Sequence, residues 1–230
     1  VSTRSAIVLL SGGLDSATAA AEVSAQGYDL YALTIDYNQR HQIELEAAHK
    51  VAKVLKVIDH KILKLDLSAF GGSALTDDTV AIPKDQDPKR IGVPTTYVPA
   101  RNTIMLALAL AWAEVTSSDA IVIGANAIDY SGYPDCRPDF LHCFEGLARI
   151  ASAKGIEQEW EPKILSPLLK MSKAEIIHLA HKHHLDLALT WSCYDPSATG
   201  HHCGRCDSCL LRKKGFEDAG IDDPTHYVDT

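Results

Sequence analysis

The sequence of 230 residues contains no apolar run near the roughly 20 residues that a bilayer-spanning helix needs. Its N-terminus has no basic stretch leading into an apolar segment and a cleavage site. A soluble, cytoplasmic protein without a membrane partner is the expectation. Excess positive charge is absent too: 22 lysines and arginines face 30 aspartates and glutamates, for a net charge of −8. No basic field draws such a chain along a nucleic-acid backbone, so nucleic acid is not an expected partner. Internal repeats and low-complexity tracts are missing as well. What is there, 46% hydrophobic and 23% charged residues, suits one globular domain over residues 1–230, and a homodimer is compatible with it.

Short aliphatic runs alternate with longer segments of helical period, which predicts βαβ units. Strands are expected at Ala6 to Leu10, Leu30 to Ile35, Lys61 to Leu65, Ala120 to Ile123 and Lys163 to Leu165. Helices are expected at Ala17 to Gln26, Ile43 to Val57, Asn102 to Val115 and Pro138 to Ala153. The fold class that follows is α/β, a doubly wound, mostly parallel sheet of five strands. Gly27 is placed to end the first helix in a left-handed conformation, and Ser172 with Glu175 forms a capping box ahead of Ile176, Ile177 and Leu179. From Asp66 to Pro99 the periodicity fails among glycines and prolines, a stretch expected to be a lid or disordered. Asn126 to Arg137 is a second irregular stretch, after the fourth strand.

The first strand runs into Ser11-Gly12-Gly13-Leu14-Asp15-Ser16, which opens an alanine-rich helix. Free amides at a helix start carry partial positive charge, and the two glycines let them approach a polyphosphate. Ser11 and Ser16 add hydroxyl donors, and Asp15 is placed to hold Mg²⁺ directly or through a water. The plainer alternative is a glycine turn between strand and helix. The string matches neither GxxxxGK[ST] nor GxGxxG, which disfavours P-loop NTPases and dinucleotide dehydrogenases.

Four of the six cysteines crowd into one stretch: Cys193, then nine residues, then Cys203-Gly-Arg-Cys206-Asp-Ser-Cys209. Four thiolates satisfy a tetrahedral Zn²⁺ and leave no position for water, so the site is read as structural, within a zinc-binding segment at 190–230. His201 or His202 replacing one sulfur, an iron–sulfur cluster and a redox CxxC are the alternatives. Cys136 and Cys143 read as ordinary thiols.

The phosphate-loop string resembles that of the ATP pyrophosphatase superfamily. The resemblance implies an adenine nucleotide α-hydrolase-like fold and adenylation of a substrate with release of pyrophosphate. Four strings narrow it further. They are Asp36 to His41, Val98-Pro-Ala-Arg-Asn102, Asp129 to Pro138, and the cysteine tail with Gly215-Phe216, and together they resemble the 7-cyano-7-deazaguanine synthase family of queuosine biosynthesis over nearly the whole chain. Where that family often has glycine after Tyr37, this chain has Asn38, which also tolerates positive φ.

This resemblance implies an ATP-dependent carbon–nitrogen ligase that converts 7-carboxy-7-deazaguanine and ammonia to the nitrile. Implied cofactors are ATP, Mg²⁺ and one structural Zn²⁺ on Cys193, Cys203, Cys206 and Cys209. ATP is assigned to Leu9, Leu10, Ser11, Gly12, Gly13, Leu14, Asp15, Ser16 and Ala17. Because ligands of open α/β sheets sit at the carboxyl ends of strands, Asp15, Ser16, Arg101 and Lys173 are the catalytic candidates. Arg101 would pair with phosphate or the substrate carboxylate, and Lys173 would neutralise pyrophosphate. Substrate candidates are Arg40, Asp129, Tyr130, Tyr133, Asp135 and Arg137, with Asp135 accepting N–H donors of a guanine-like edge and a tyrosine stacking on its ring. The plainer alternative is a solvated charge for each basic residue and a self-packed loop for 126–137. His181, His183 and His184 read as a solvated helix end. A tRNA thiolase and a zinc-ribbon nucleic-acid module are the rivals. The first lacks a basic appendage here, and the second leaves the phosphate loop unexplained.

Overall fold

A computed structural model describes residues 3–38, 42–86, 92–126 and 133–228. Five parallel strands, β1 (Arg4–Leu9), β2 (Tyr28–Asp36), β3 (Asp59–Lys64), β4 (Ala120–Val122) and β5 (Lys163–Leu165), form one sheet in the order β3-β2-β1-β4-β5. The expected doubly wound α/β fold is present, with every strand pairing parallel.

The aliphatic runs of β1, β2 and β4 bury both faces, as a sheet covered on both sides requires. Ile7, Leu9, Leu33, Ile35, Ile121 and Ile123 point into one core, and Ala6, Val8, Leu10, Leu30, Ala32, Ala120 and Val122 into the other. The first core is closed by α3 (Arg101–Thr116) and α4 (Pro138–Ala151) through Leu106, Leu110, Leu141 and Phe144. The second is closed by α1 (Leu14–Ala25), α2 (Ile43–Val54), α6 (Lys173–Lys182) and α7 (Asp207–Ala219). A short α5 (Ala153–Gln158) follows α4, and Ser152 caps it by accepting from the Gly155 amide.

Local boundary chemistry behaves as its residues dictate. Gly27 has φ of +85°, just past the end of α1, and the capping box of α6 is complete, with Ser172 and Glu175 bonded reciprocally. The helix α3 begins differently. Its cap residue Ala100 is left-handed and has no side chain to offer, so the carboxylate of Asp135, remote in sequence, accepts the Asn102 amide at 3.1 Å.

The stretch 66–99 corrects one expectation. Its described residues are neither a free lid nor disordered. Leu67, Ala74, Leu75, Ile82 and Val98 are buried in the first core, and Lys84 bridges to Cys206 in the cysteine tail. Enough apolar side chains are spaced along it to anchor an irregular backbone without strand or helix period. Helix α7, which the sequence pattern does not announce, packs on α6 and carries Phe216 into the second core.

Candidate active site

In this strand order the chain winds one way from β1 to β3 and the other way through β4 and β5, so the switch point lies between β1 and β4. Ligands of open parallel sheets sit at the carboxyl ends there. A cavity of about 220 Å³ occupies that position. Its polar lining includes Ser11, Asp15, Ser16, Glu44, Arg101, Asn102 and Lys173, and its apolar wall Leu33, Ile35, Met105 and Ile123.

The loop at 11–16 is preorganised. Ser16 Oγ donates to the Gly13 carbonyl at 3.1 Å and accepts from the Ser11 amide at 3.2 Å, while the Gly13 amide donates to Ser11 Oγ at 3.2 Å. The Trp191 amide donates to the Gly12 carbonyl at 2.9 Å and so ties the loop to the chain before the cysteines. The two glycines have different physical reasons. Gly12, with φ of +82°, faces away from the cavity, and a Cβ there would lie 2.4 Å from the Glu44 carbonyl and 2.5 Å from the Ala48 amide. Its bareness lets α2 seat against the loop. Gly13 lines the cavity. Ala17 is fully buried and, like Gly12, supports the loop from behind rather than lining the cleft.

Lys173, at the start of α6, reaches across to Asp15 and donates to both carboxylate oxygens at 2.7 and 2.8 Å. Space for its stem comes from Gly215 on α7, where a Cβ would lie 2.2 Å from Lys173 Cγ. Gly124, just past β4, plays the same part for the loop, since a Cβ there would fall 2.8 Å from the Ser16 amide nitrogen. Arg101 is placed over the Tyr37 ring, 5.9 Å from its centroid, inside the cleft. Burial pushes the Tyr37 hydroxyl up to about 12. Burial likewise pushes the Glu44 carboxyl up to about 7, with Arg101 pulling the other way.

Of the substrate candidates, Arg40, Asp129 and Tyr130 lie outside the described residues. Tyr133 lines the cleft, its hydroxyl 3.0 Å from Thr96 Oγ1 and its ring edge-on to Tyr97. Asp135 is buried behind the cleft wall as the cap of α3, with Oδ1 unpartnered among the described residues. Arg137 is exposed at the start of α4, after the turn at Pro134–Cys136, and is not among the described residues that line the cleft. The sequence reading missed Glu44, Asn102, Trp191, Tyr194 and Arg212 as cleft residues. Glu44 carried a usable signal, because it lies in the first turn of the helix after β2, where helix starts face the strand ends. Arg212 carried none. It is fully buried and reaches Thr190 Oγ1, the Leu187 carbonyl and Asp223.

The sulfurs of Cys193, Cys203, Cys206 and Cys209 lie within 4.8 Å of one another and all four residues are buried. A tetrahedral zinc with Zn–S of about 2.3 Å sets its sulfurs about 3.8 Å apart, so the donor set fits with small adjustment. Amides of Asp195 and Cys203 donate to Cys193 Sγ, and that of Cys206 to Cys203 Sγ, contacts that favour thiolates. Hydrogen bonds from Cys193 and Cys209 hold the Cys206 thiol far below its usual range. His202 does not join the cluster: its Nε2 accepts from the Ser192 amide and its ring lies 3.9 Å from that of Trp191. His201 is exposed.

Residues 5–220 match the family described as queuosine biosynthesis protein QueC. The chain belongs to this family. It is 52% identical over 228 residues to a 7-cyano-7-deazaguanine synthase of Saccharophagus degradans, covering 99% of this chain and 100% of that one. A protein of the same name from Rhizorhabdus wittichii is 56% identical over 225 residues, covering 98% and 96%. Among solved structures, NMN synthetase from Francisella tularensis shares the fold, with a TM-score of 0.51 and 14% identity over 96% of this chain and 79% of that one. Among the described residues no helix is long and apolar enough to cross a membrane.

Proposed function

We propose that the chain uses ATP to convert 7-carboxy-7-deazaguanine and ammonium into 7-cyano-7-deazaguanine. One observation carries this: the phosphate loop, Lys173 and Arg101 converge on a single cavity at the switch point, in a chain whose relatives bear that synthase name. The loop amides and Lys173 hold the β- and γ-phosphates while a substrate carboxylate oxygen attacks the α-phosphate and pyrophosphate leaves. Mg²⁺, held near Asp15, would spread the phosphate charge. Arg101 orients the substrate carboxylate inside apolar walls.

Adenylation turns a poor leaving oxygen into a good one. Ammonia forms the C–N bond, the acyl C–O bond breaks, and AMP departs with the electron pair. A second adenylation, on the amide oxygen, lets that oxygen leave with AMP and gives C≡N after loss of the amide protons. No covalent enzyme intermediate is needed; the protein positions, neutralises charge and excludes water. Tyr133, which lines the cleft, offers its ring to the deazapurine. Arg40, Asp129 and Tyr130 remain candidate substrate contacts on the strength of their motifs. Zinc on the four cysteines is structural, the reaction engages small molecules only, and a cytoplasmic site of action suits its dependence on ATP.

The test is to incubate the protein with ATP, Mg²⁺, ammonium and 7-carboxy-7-deazaguanine and to follow nitrile and pyrophosphate by mass spectrometry and phosphate assay. The nitrile should appear with consumption of ATP. Lys173→Met should lower turnover about a thousandfold, the scale of losing a preorganised charge at a transition state. Absence of nitrile in the wild type would refute the proposal.

A further inference from the structure

Two of the described residues lining the cleft carry carboxyl groups, Asp15 and Glu44. Asp15 is the bidentate partner of Lys173. Glu44 lies in the first turn of α2, its backbone carbonyl abutting Gly12 behind the phosphate loop while the residue lines the same cleft. Arg101 from α3 and Tyr37 from beyond β2 face it, and Tyr133, Tyr194 and Cys136 surround Arg101 in turn.

The proposed reaction has a proton to dispose of at this place. Its nitrogen donor is ammonium at neutral pH, which has no lone pair and must lose a proton inside a site that excludes water. We infer that Glu44 is the general base of the amidation step, binding ammonium beside the acyl adenylate and taking its proton. The assignment rests on the adenylation chemistry proposed above. The step balances: ammonium gives one proton to the Glu44 carboxylate, and the freed lone pair forms the C–N bond as the acyl C–O bond breaks. AMP leaves with the electron pair, and a second proton passes from nitrogen to solvent as AMP is released.

The environment favours proton transfer over a static clamp. A carboxylate that holds guanine-type N–H donors has to stay ionised, whereas burial works against the charge on Glu44 and brings it to about 7. A base is most effective when it titrates near the working pH.

Two half-reactions separate the roles. Pyrophosphate exchange into ATP, dependent on 7-carboxy-7-deazaguanine and run without ammonia, reports adenylation. Amide and nitrile formation report the ammonia step. In Glu44→Gln, amide formation at pH 7 should fall about a hundredfold more than exchange does, the usual scale of general-base catalysis. It should recover as the pH rises toward the range where free ammonia dominates. Hydroxylamine is neutral at pH 7, so it should give the hydroxamate with E44Q at near the wild-type rate. In the wild type, the acid limb near pH 7 seen with ammonium should be absent with hydroxylamine, whose rate falls only at the lower pH where hydroxylamine itself is protonated. Equal loss of exchange and amidation in E44Q, unchanged amidation, or failure of both high pH and hydroxylamine to rescue it would overturn the assignment. A wild type that shows no exchange at all would instead overturn the adenylation chemistry, and the assignment with it.

Discussion

The glycine loop at 11–16 and the cysteine cluster are both short motifs whose chemistry suits ions, and the structure completes them in opposite ways. The cluster supplies its four ligands from residues 193–209 and needs little else to define the site. The loop supplies amides and hydroxyls, but its shape and charge depend on distant chain. Gly124 and Trp191 set its backbone, α2 packs under Gly12, and Lys173 reaches Asp15 only because Gly215 leaves room. An anion held by weak backbone dipoles requires many converging donors, whereas a cation held by thiolates requires four strong bonds. Trp191 joins the two regions, with its amide on Gly12 and its indole N–H on the Cys193 carbonyl.

That contrast can be broken first at the metal. Cys206→Ala should lose zinc, measured by elemental analysis, together with at least about 4 kcal/mol of stability, because metal binding here is folding energy. A protein with full metal content and wild-type melting would show that the cluster is not self-sufficient.

The second test asks whether the tail has support besides its metal. Burial works to raise the Asp223 carboxyl, but the Arg212 guanidinium, the Tyr227 hydroxyl and the Thr225 amide together hold it below the ordinary carboxylate range. A depressed carboxylate contributes stability that is fully present above its unfolded value, near pH 4, and is lost as pH falls through the lower folded value. Asp223→Asn should therefore cost about 2–3 kcal/mol at neutral pH, since it leaves buried Arg212 without its partner. The gap from wild type should narrow in urea melts below about pH 4. A gap that stays constant down to low pH would remove Asp223 as the cause.

The smallest stability effect sharpens the loop side. Gly215→Ala puts a methyl against the Lys173 stem, 2.2 Å from Cγ. Overpacking of this kind costs about 1–2 kcal/mol. Displacing Lys173 should nonetheless lower kcat/KM for ATP on the order of a hundredfold. Steady-state kinetics beside a thermal melt reads both, and equal small losses in each would mean that Lys173 keeps its place.

Much of the fold was legible because parallel strands buried on both faces demand continuous aliphatic runs, and β1, β2 and β4 have them. Helix α7 was not, since its apolar residues are few and its start coincides with the metal motif. Asp135 illustrates the limit at the site. Its motif suggests a ligand contact, yet its carboxylate caps α3, because an alanine at the cap position leaves the Asn102 amide in need of an acceptor. Arg101 and Lys173 were found from their position at helix starts near strand ends. Glu44 was passed over, because an acidic residue in a first helical turn is ordinarily explained by the helix dipole alone.

By itself the sequence determined the strand–loop–helix proposed to hold phosphate, the four-cysteine cluster that fits a metal and the doubly wound sheet, because each is written in contiguous residues with a period or spacing. Only the tertiary structure decided which side chains face the cleft, why Gly12, Gly124 and Gly215 must be bare, and which carboxyl is pushed toward neutrality. Those depend on close approach and desolvation between segments far apart in the chain, which no local pattern records.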